Sequence, residues 1–423
     1  MKLTEDDLYR ASTQFRNWSF TAQQLSAQRH KTNAQATERV KANVARQRAH
    51  RAQQAESDSI SSGVDNGSGA NTPNPVSGDR DVDCLTADEE LKIVDDFCER
   101  AIKLGEHCKF PFDVTATCIQ LLRRFYLYNS PMTYHVHNIS RTVMYLATKV
   151  ETFDVSVSTF ADFFPSANVT TESILAPEYM VMQGLRYNLH VKHPFRALQG
   201  GSMEMLECAK GSYEGPNHAV KGGADEIQAR LMLLPKPNGK TPVGKWAVEE
   251  VENRVKNAKY YATKTLKEAA LLTDAYFLYT PSHIWLAAHL LADEPLTLFY
   301  LSLKVPTTSP IYDKVVATIN ACAKLLAHHR LFVNDTLAKD EKDAREAKHQ
   351  AEVKRLINKL KMCRDPDKID LVKLNQAQKR DALQGGELEQ SKAKRRKLER
   401  ETFEKESDSF WGPELPKNGN MAN

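Results

Sequence analysis

One stretch constrains this chain more than any other: Phe125-Tyr-Leu-Tyr-Asn-Ser-Pro-Met-Thr-Tyr134, running on to Tyr145-Leu-Ala-Thr-Lys149-Val-Glu-Thr-Phe153. It joins an aromatic-rich turn to an apolar helix that ends in a lysine beside an acid. Further on, Leu272-Thr-Asp-Ala-Tyr-Phe-Leu-Tyr-Thr-Pro281 again leads through a proline into an apolar helical stretch, Ile284 to Leu291. Apolar residues at helical spacing on both sides of each turn predict two similar, wholly helical halves.

The 423 residues, 41% hydrophobic and 26% charged, suffice for two ordinary cores with long polar extensions. Seven cysteines, an odd number with no Cys-x-x-Cys pair, argue against a disulfide framework or a zinc finger and point to a reducing compartment. No apolar run approaches the roughly 20 residues that span a bilayer, so no membrane partner is expected. The start Thr4-Glu-Asp-Asp7 is unlike a signal peptide, and the expectation is a soluble intracellular protein. The net charge of +4 is unevenly spread. Between Leu8 and Arg51 the only acid is Glu38, and Lys392-Ala-Lys394-Arg395-Arg396-Lys397 lies near the other end. Such basic runs suit nucleic acid, an acidic partner or nuclear import, and equally a solvated helix face.

Residues 1–52 read as an N-terminal helical extension whose sparse apolar positions (Phe15, Trp18, Phe20, Leu25, Val40, Val44) suit a helix lying on another surface. Residues 53–83, rich in Ser, Gly, Asn and Asp, read as a disordered insert that cannot offset its own ordering entropy. Thr72-Pro73 within it has the form of a proline-directed phosphosite, a dipeptide common enough to mean nothing by itself. Order returns at Thr86-Ala-Asp-Glu89, a capping-box pattern. Five helices are predicted within 84–200: one after Thr86, one from Pro111, one over about 134–150, a short one carrying Phe160, Phe163 and Phe164, and one over about 171–187. Residues 201–248, with Gly, Pro and Lys clusters, read as a linker with an insertion. A second helical set follows over 249–336. Residues 337–363 form a long charged helix with a thin stripe of Ala344, Ala347, Ala351, Leu356, Ile357 and Leu360, and 364–423 a largely disordered basic tail in which Phe410-Trp411 stands out.

Chemistry is sparse. The histidine clusters His135/His137, His190/His193 and His328/His329 have spacings that do not pair ligands on one helix face, so no metal site and no cofactor is expected. No Gly-x-Gly-x-x-Gly, P-loop, Gly-x-Ser-x-Gly or kinase catalytic-loop pattern occurs, and no catalytic residue is assigned. What remains is a surface. Lys149 ends the third helix, and Glu178, Met182 and Leu185 share a face of the fifth. A charged pair beside an apolar strip has the anatomy of a protein interface, although spacing alone favours an ordinary surface pair beside a core strip.

These residues resemble the cyclin family. Leu146-Ala-Thr-Lys149-Val-Glu-Thr-Phe153 is similar to the cyclin-box signature, and Glu178 with Leu185-Arg-Tyr-Asn-Leu189 to that box's fifth helix. Arg124 to Ser130, Leu272 to Ser282 and Trp18-Ser-Phe20 resemble, more narrowly, a fungal-type member of the branch that serves the CDK-activating kinase of the transcription and repair factor TFIIH. The resemblance implies an all-α fold of two tandem five-helix cyclin boxes with additional N- and C-terminal helices, the boxes at 84–200 and 249–336. It implies a non-catalytic regulatory subunit working with a cyclin-dependent kinase, a RING-finger assembly factor and the TFIIH core, in the nucleus, on kinase activation segments and the RNA polymerase II C-terminal repeat. Carried over by position, Lys149 and Glu178 would hydrogen-bond the kinase around its regulatory helix, with Val150, Met182, Leu185 and Tyr187 as the apolar seat. Lys392, Lys394, Arg395, Arg396 and Lys397 form the nuclear-import candidate. Two alternatives stay open: another transcriptional cyclin, and a cyclin-fold general transcription factor that binds nucleic acid, though direct nucleic-acid binding is the less favoured of the two.

Overall fold

The computed structural model describes residues 9–61, 82–164, 169–214, 223–237, 244–368 and 370–384, and among them the regular structure is all helical. A short helix α1 (Thr13–Trp18) starts at Ser12, whose Oγ accepts from the Phe15 amide at 3.2 Å. Helix α2 (Ala22–Ser61) starts at a reciprocal cap in which Thr21 Oγ1 accepts from the Gln24 amide and Gln24 Oε1 from the Thr21 amide. Leu25, Thr32, Ala36 and Val40 return to one side of α2 and are buried there. The helix runs on through Ser61, into the stretch predicted as a disordered insert, because Ala52-Gln-Gln-Ala-Glu56 are good helix formers. Thr72-Pro73 lies outside the described residues.

The first bundle contains α3 (Ala87–His107), α4 (Phe112–Tyr128), α5 (Val136–Val150), α6 (Val157–Asp162), α7 (Thr171–Leu175) and α8 (Glu178–Gly184). The capping box at Thr86 forms as predicted. The single helix predicted over 171–187 is two, broken at Ala176-Pro177, because proline brings no N–H to the ladder and disfavours helix in the residue before it. Helix α4 is the axis of the bundle: every residue from Val114 to Leu127 is buried, including Gln120, Arg123 and Arg124. The sequence pattern exposed one apolar face, and the polar residues opposite it are buried against the rest of the molecule.

A second bundle holds α9 (Phe195–Lys210), α10 (Ala224–Met232), α11 (Val248–Thr265, continued by a π turn at Leu266–Ala270), α12 (Ala275–Leu278), α13 (Pro281–Ala292), α14 (Glu294–Lys304), α15 (Tyr312–Ala327) and α16 (Arg330–Asn334). Helices α9 and α10 occupy much of the stretch predicted as linker. The Gly200-Gly201 pair misleads there, since Gly201 is no breaker: a Cβ on it would sit 2.6 Å from Trp285 Cη2, so the glycine lets α9 close on α13. Helix α16 is the short last helix of this set. Helix α17 (Lys339–Met362) packs on α3 through Val353, Leu356 and Leu360, whereas Ala344, Ala347 and Ala351 of the predicted stripe are exposed. Helix α18 (Leu371–Gln384) belongs to a separate unit.

Asp274 joins the N-terminal helix to both bundles. Its carboxylate accepts from Arg29 of α2 at 2.8 and 2.5 Å and from Arg123 of α4 at 2.8 Å, and Arg123 is also paired with Asp95 of α3. Beside it Trp18, Leu25, Leu127 and Phe277 form one apolar cluster drawn from α1, α2, α4 and α12. The Phe20 amide donates to the Phe277 carbonyl at 2.8 Å. This arrangement fixes the aromatic-rich segments of the sequence as inter-element cement and leaves the far end of α5 free for other use.

Candidate functional site

Helix α5 ends at Val150 in a left-handed turn. Thr152 has φ 53°, the Phe153 amide donates to the Thr148 carbonyl at 2.8 Å, and the Thr152 amide to the Lys149 carbonyl at 3.3 Å. That double closure satisfies the last carbonyls of α5 and turns the chain away, so Lys149 projects from the final turn. Helix α8 ends the same way with a non-glycine residue: Arg186 and Tyr187 both have positive φ (54° and 56°), the Tyr187 amide donates to the Met182 carbonyl and the Arg186 amide to the Gln183 carbonyl, each at 2.9 Å. Two successive left-handed non-glycine residues each cost about 1 kcal/mol or more. They hold Tyr187 outward, 59% exposed.

Between the end of α5 and the start of α8, Lys149 Nζ meets Glu178 Oε1 at 2.5 Å. Lys149 lies 4.6 Å above the Tyr145 ring. The Lys149 side chain is 45% exposed and that of Glu178 19%. A pair this exposed contributes little to stability, at most about 1 kcal/mol. Its effect is to hold both charged groups side by side in fixed positions, which is what an incoming partner with complementary groups needs.

The structure brings Lys149, Glu178, Val150, Met182 and Tyr187 to one region and removes Leu185 from it. Leu185 and Val181, four apart, are fully buried and seat α8 on the core. Leu185 supports the face from beneath and is not open to a partner, because the helix ends at Gly184 and the left-handed turn redirects only the residues after it. Gly184 allows the fit: a Cβ there would lie 2.7 Å from the Phe125 ring. Val150 and Met182 are half-buried. Two apolar members escaped the sequence reading, Tyr179, 61% exposed, and Leu175, also exposed. The signal was present in the Val181/Leu185 spacing, which sets the inward side of α8 and leaves Tyr179 outside it.

Next to Val150 a cleft of about 690 Å³ opens between the bundles, bordered by Glu151, His190, Lys192, His193 and Thr280. His193 is bonded to Thr117 Oγ1 at 2.9 Å and Tyr276 Oη at 3.0 Å, and burial pushes its imidazole down to about 3, so it is a neutral structural residue. Arg124 donates to the His190 carbonyl at 3.1 Å and to Gln14 Oε1 at 3.1 Å, tying α1 and the inter-bundle segment to α4. Burial without a carboxylate lowers its guanidinium to about 10. Among the described residues no group of three or more His, Cys, Asp or Glu is placed to hold a metal ion, and no helix is long and apolar enough to cross a membrane. The import candidate Lys392 to Lys397 and the Phe410-Trp411 pair lie outside the described residues.

Comparison with known proteins agrees with this architecture. Residues 193–327 match the cyclin C-terminal domain, a range that begins just before α9. The chain is 29% identical to the cyclin CCL1 of Saccharomyces cerevisiae over 315 residues, 74% of this chain and 65% of that relative's length. It is 28% identical to the cyclin mcs2 of Schizosaccharomyces pombe, over 75% of this chain and 80% of that one. Cyclin-H of Xenopus laevis is 30% identical over 35% of this chain and 47% of its own. Among solved structures, a chain of the CAK complex from Chaetomium thermophilum bound to ATP-gamma-S superposes with TM-score 0.64 and 28% identity, covering 90% of this chain and 96% of that chain.

Proposed function

This chain is a cyclin-family protein, and on that premise we propose that it is the regulatory, non-catalytic subunit of a cyclin-dependent kinase of the CDK-activating type. The single observation that carries the reading is the face at the ends of α5 and α8, where the Lys149 and Glu178 pair stands beside Leu175, Tyr179, Met182 and Tyr187. Likeness along nine-tenths of the chain to a subunit of a CAK complex supports it. A kinase is active only when its catalytic Lys to Glu ion pair and its metal-binding Asp are in place, and both depend on the position of its regulatory helix. A cyclin that binds only the inward position of that helix shifts the population toward the active state by its differential affinity. Lys149 and Glu178 would bond the kinase backbone around that helix, and the tyrosines and Met182 would cover its apolar side.

The same reading extends to a RING-finger assembly factor and the TFIIH core as partners, to phosphorylation of kinase activation segments and of the RNA polymerase II C-terminal repeat, and to the nucleus, with Lys392 to Lys397 as the import element. The test is purification through a tag from the native cell at moderate salt, with identification of co-eluting proteins and assay of both phosphorylations. A kinase with both activities in the eluate supports the proposal. A kinase with neither activity, or no kinase, refutes it.

A further inference from the structure

Five of the seven thiols, Cys98, Cys108, Cys118, Cys208 and Cys322, are buried within helices or at a helix cap. Cys84 is half-exposed, and it borders an open cleft of about 640 Å³ between the segment leading into α3 and His30, Asn33 and Lys41 of α2. Solutes in water therefore reach this thiol. The segment that carries it is held against the end of α17, where Lys359 bonds Asp83 Oδ1 and Glu89 Oε2, both at 3.0 Å. Cys363 follows Lys359 by four residues and closes the helix, its amide donating to the Leu360 carbonyl at 3.2 Å. Residues four apart share a helix face, so the turn that meets Asp83 also presents Cys363 to the same segment. The Cys363 thiol is fully buried, lies against the Leu85 amide one peptide unit from Cys84, and is close enough to Cys84 to feel its charge.

We propose that Cys84 and Cys363 form a reversible disulfide in response to hydrogen peroxide, a latch that ties the entry of α3 to the end of α17. The Cys84 thiolate attacks the peroxide, the O–O bond breaks, and the leaving hydroxide takes up the thiol proton as water, which leaves Cys84 as a sulfenic acid. Cys363 Sγ then attacks that sulfur. The S–S bond forms, the S–O bond breaks, and the oxygen departs with the Cys363 proton as a second water, so two thiols reduce one peroxide. A cellular dithiol reverses the bond by exchange and is itself oxidised. Burial pushes the Cys363 thiol up to about 11, which keeps it protonated and out of reach of peroxide, so Cys84 is the sulfur oxidised first. Proximity then serves Cys363 in place of acidity. The other neighbouring thiols, Cys98 of α3 and Cys118 of α4, are both fully buried and offer an oxidant no entry. In a reducing compartment such a bond is transient and reports on oxidant, unlike a structural bridge. Among the described residues, α17 otherwise holds to α3 through Val353, Leu356, Leu360 and exposed ion pairs, so a covalent tie at its last turn changes how firmly that end is held.

The experiment treats the full, folded chain with hydrogen peroxide, blocks the remaining thiols by alkylation and maps the peptides without reduction. A peptide linking Cys84 to Cys363 should be the main cross-link, and dithiothreitol should release it. Cys363→Ser should leave Cys84 as a sulfenic acid that a dimedone probe labels at least about ten-fold more than in the native chain, and Cys84→Ser should give neither label nor link at these positions. Amide hydrogen exchange at the last turn of α17 should slow by about ten-fold or more in the oxidised chain and recover on reduction. Helical circular dichroism checks that each variant is folded, and Cys363→Ala replaces Cys363→Ser if a buried hydroxyl is not tolerated. Sulfenic acid that persists at Cys84 in the native chain, a dominant cross-link through any other cysteine, no oxidation of Cys84, or unchanged exchange after oxidation overturns the proposal.

Discussion

Replacing Asp274 by Asn removes one charge and almost no volume from the point where α2 and both bundles meet. In the native chain burial alone would raise this carboxyl, and Arg29 and Arg123 overcome that and hold it below its usual value. Deleting one partner of a buried ion pair typically costs about 3–5 kcal/mol. Here Arg123 keeps Asp95 and the Leu272 carbonyl, and Arg29, 19% exposed, can regain water, so a loss of about 2–3 kcal/mol is the reasoned value. Urea unfolding followed by Trp fluorescence reads it directly, since Trp18 sits in the adjoining cluster. A double-mutant cycle with Arg29→Ala should return a coupling of about 1 kcal/mol or more. The native contribution should also fade in acid, because a carboxyl held low in the fold stabilises above its unfolded value and ceases to as pH falls through the folded one. A change in stability under about 0.5 kcal/mol, the scatter of ordinary surface substitutions, would refute the account of Asp274 as the junction.

Two further perturbations follow from the same structure. Glu90 is buried against Ser130, and burial raises its carboxyl to about 7 from an ordinary 4.5. The unfolded chain sheds that proton first, so native stability attributable to Glu90 falls as pH rises from about 4.5 to 7. Glu90→Gln should therefore stabilise by up to about 3 kcal/mol at pH 8 and far less at pH 4.5, at 1.36 kcal/mol per unit; equal effects at both pH values would count against it. Gly201→Val should lower stability by about 1–3 kcal/mol through collision with Trp285, as overpacking does, whereas at the open Gly200 the same change should cost at most about 1 kcal/mol; equal unfolding midpoints for the two variants would show that α9 does not need the glycine.

Much of the architecture was legible because it rests on local rules. The Thr86 box, the start after Pro111 and the run to Val150 all appear where caps and periodicity put them. The failures share a cause, which is that burial is decided by distant partners. No sequence rule buries Arg123 and Arg124; they are buried because Asp95, Asp274, Gln14 and the His190 carbonyl come to them from elsewhere in the chain. The linker reading of 201–248 failed at its start because the approach of Trp285 to Gly201 is invisible in sequence. At the candidate site the Lys149 and Glu178 pair was legible by spacing and resemblance. Leu185 was misplaced and Tyr179 missed because Val181 and Leu185, four apart, set the buried side of α8, and the left-handed turn that follows redirects only the residues after it.

The most direct test is the affinity of the purified kinase partner for the chain and for its Lys149→Ala and Glu178→Ala variants, measured by calorimetry alongside kinase activity at limiting and saturating chain. The account predicts a loss of about 1–3 kcal/mol in each variant, as for truncation of a desolvated charged contact, with activity restored at saturation because the proposed role is to shift the kinase population by binding. Unchanged affinity and activity in both variants would contradict the assignment of this face as the one that holds the kinase.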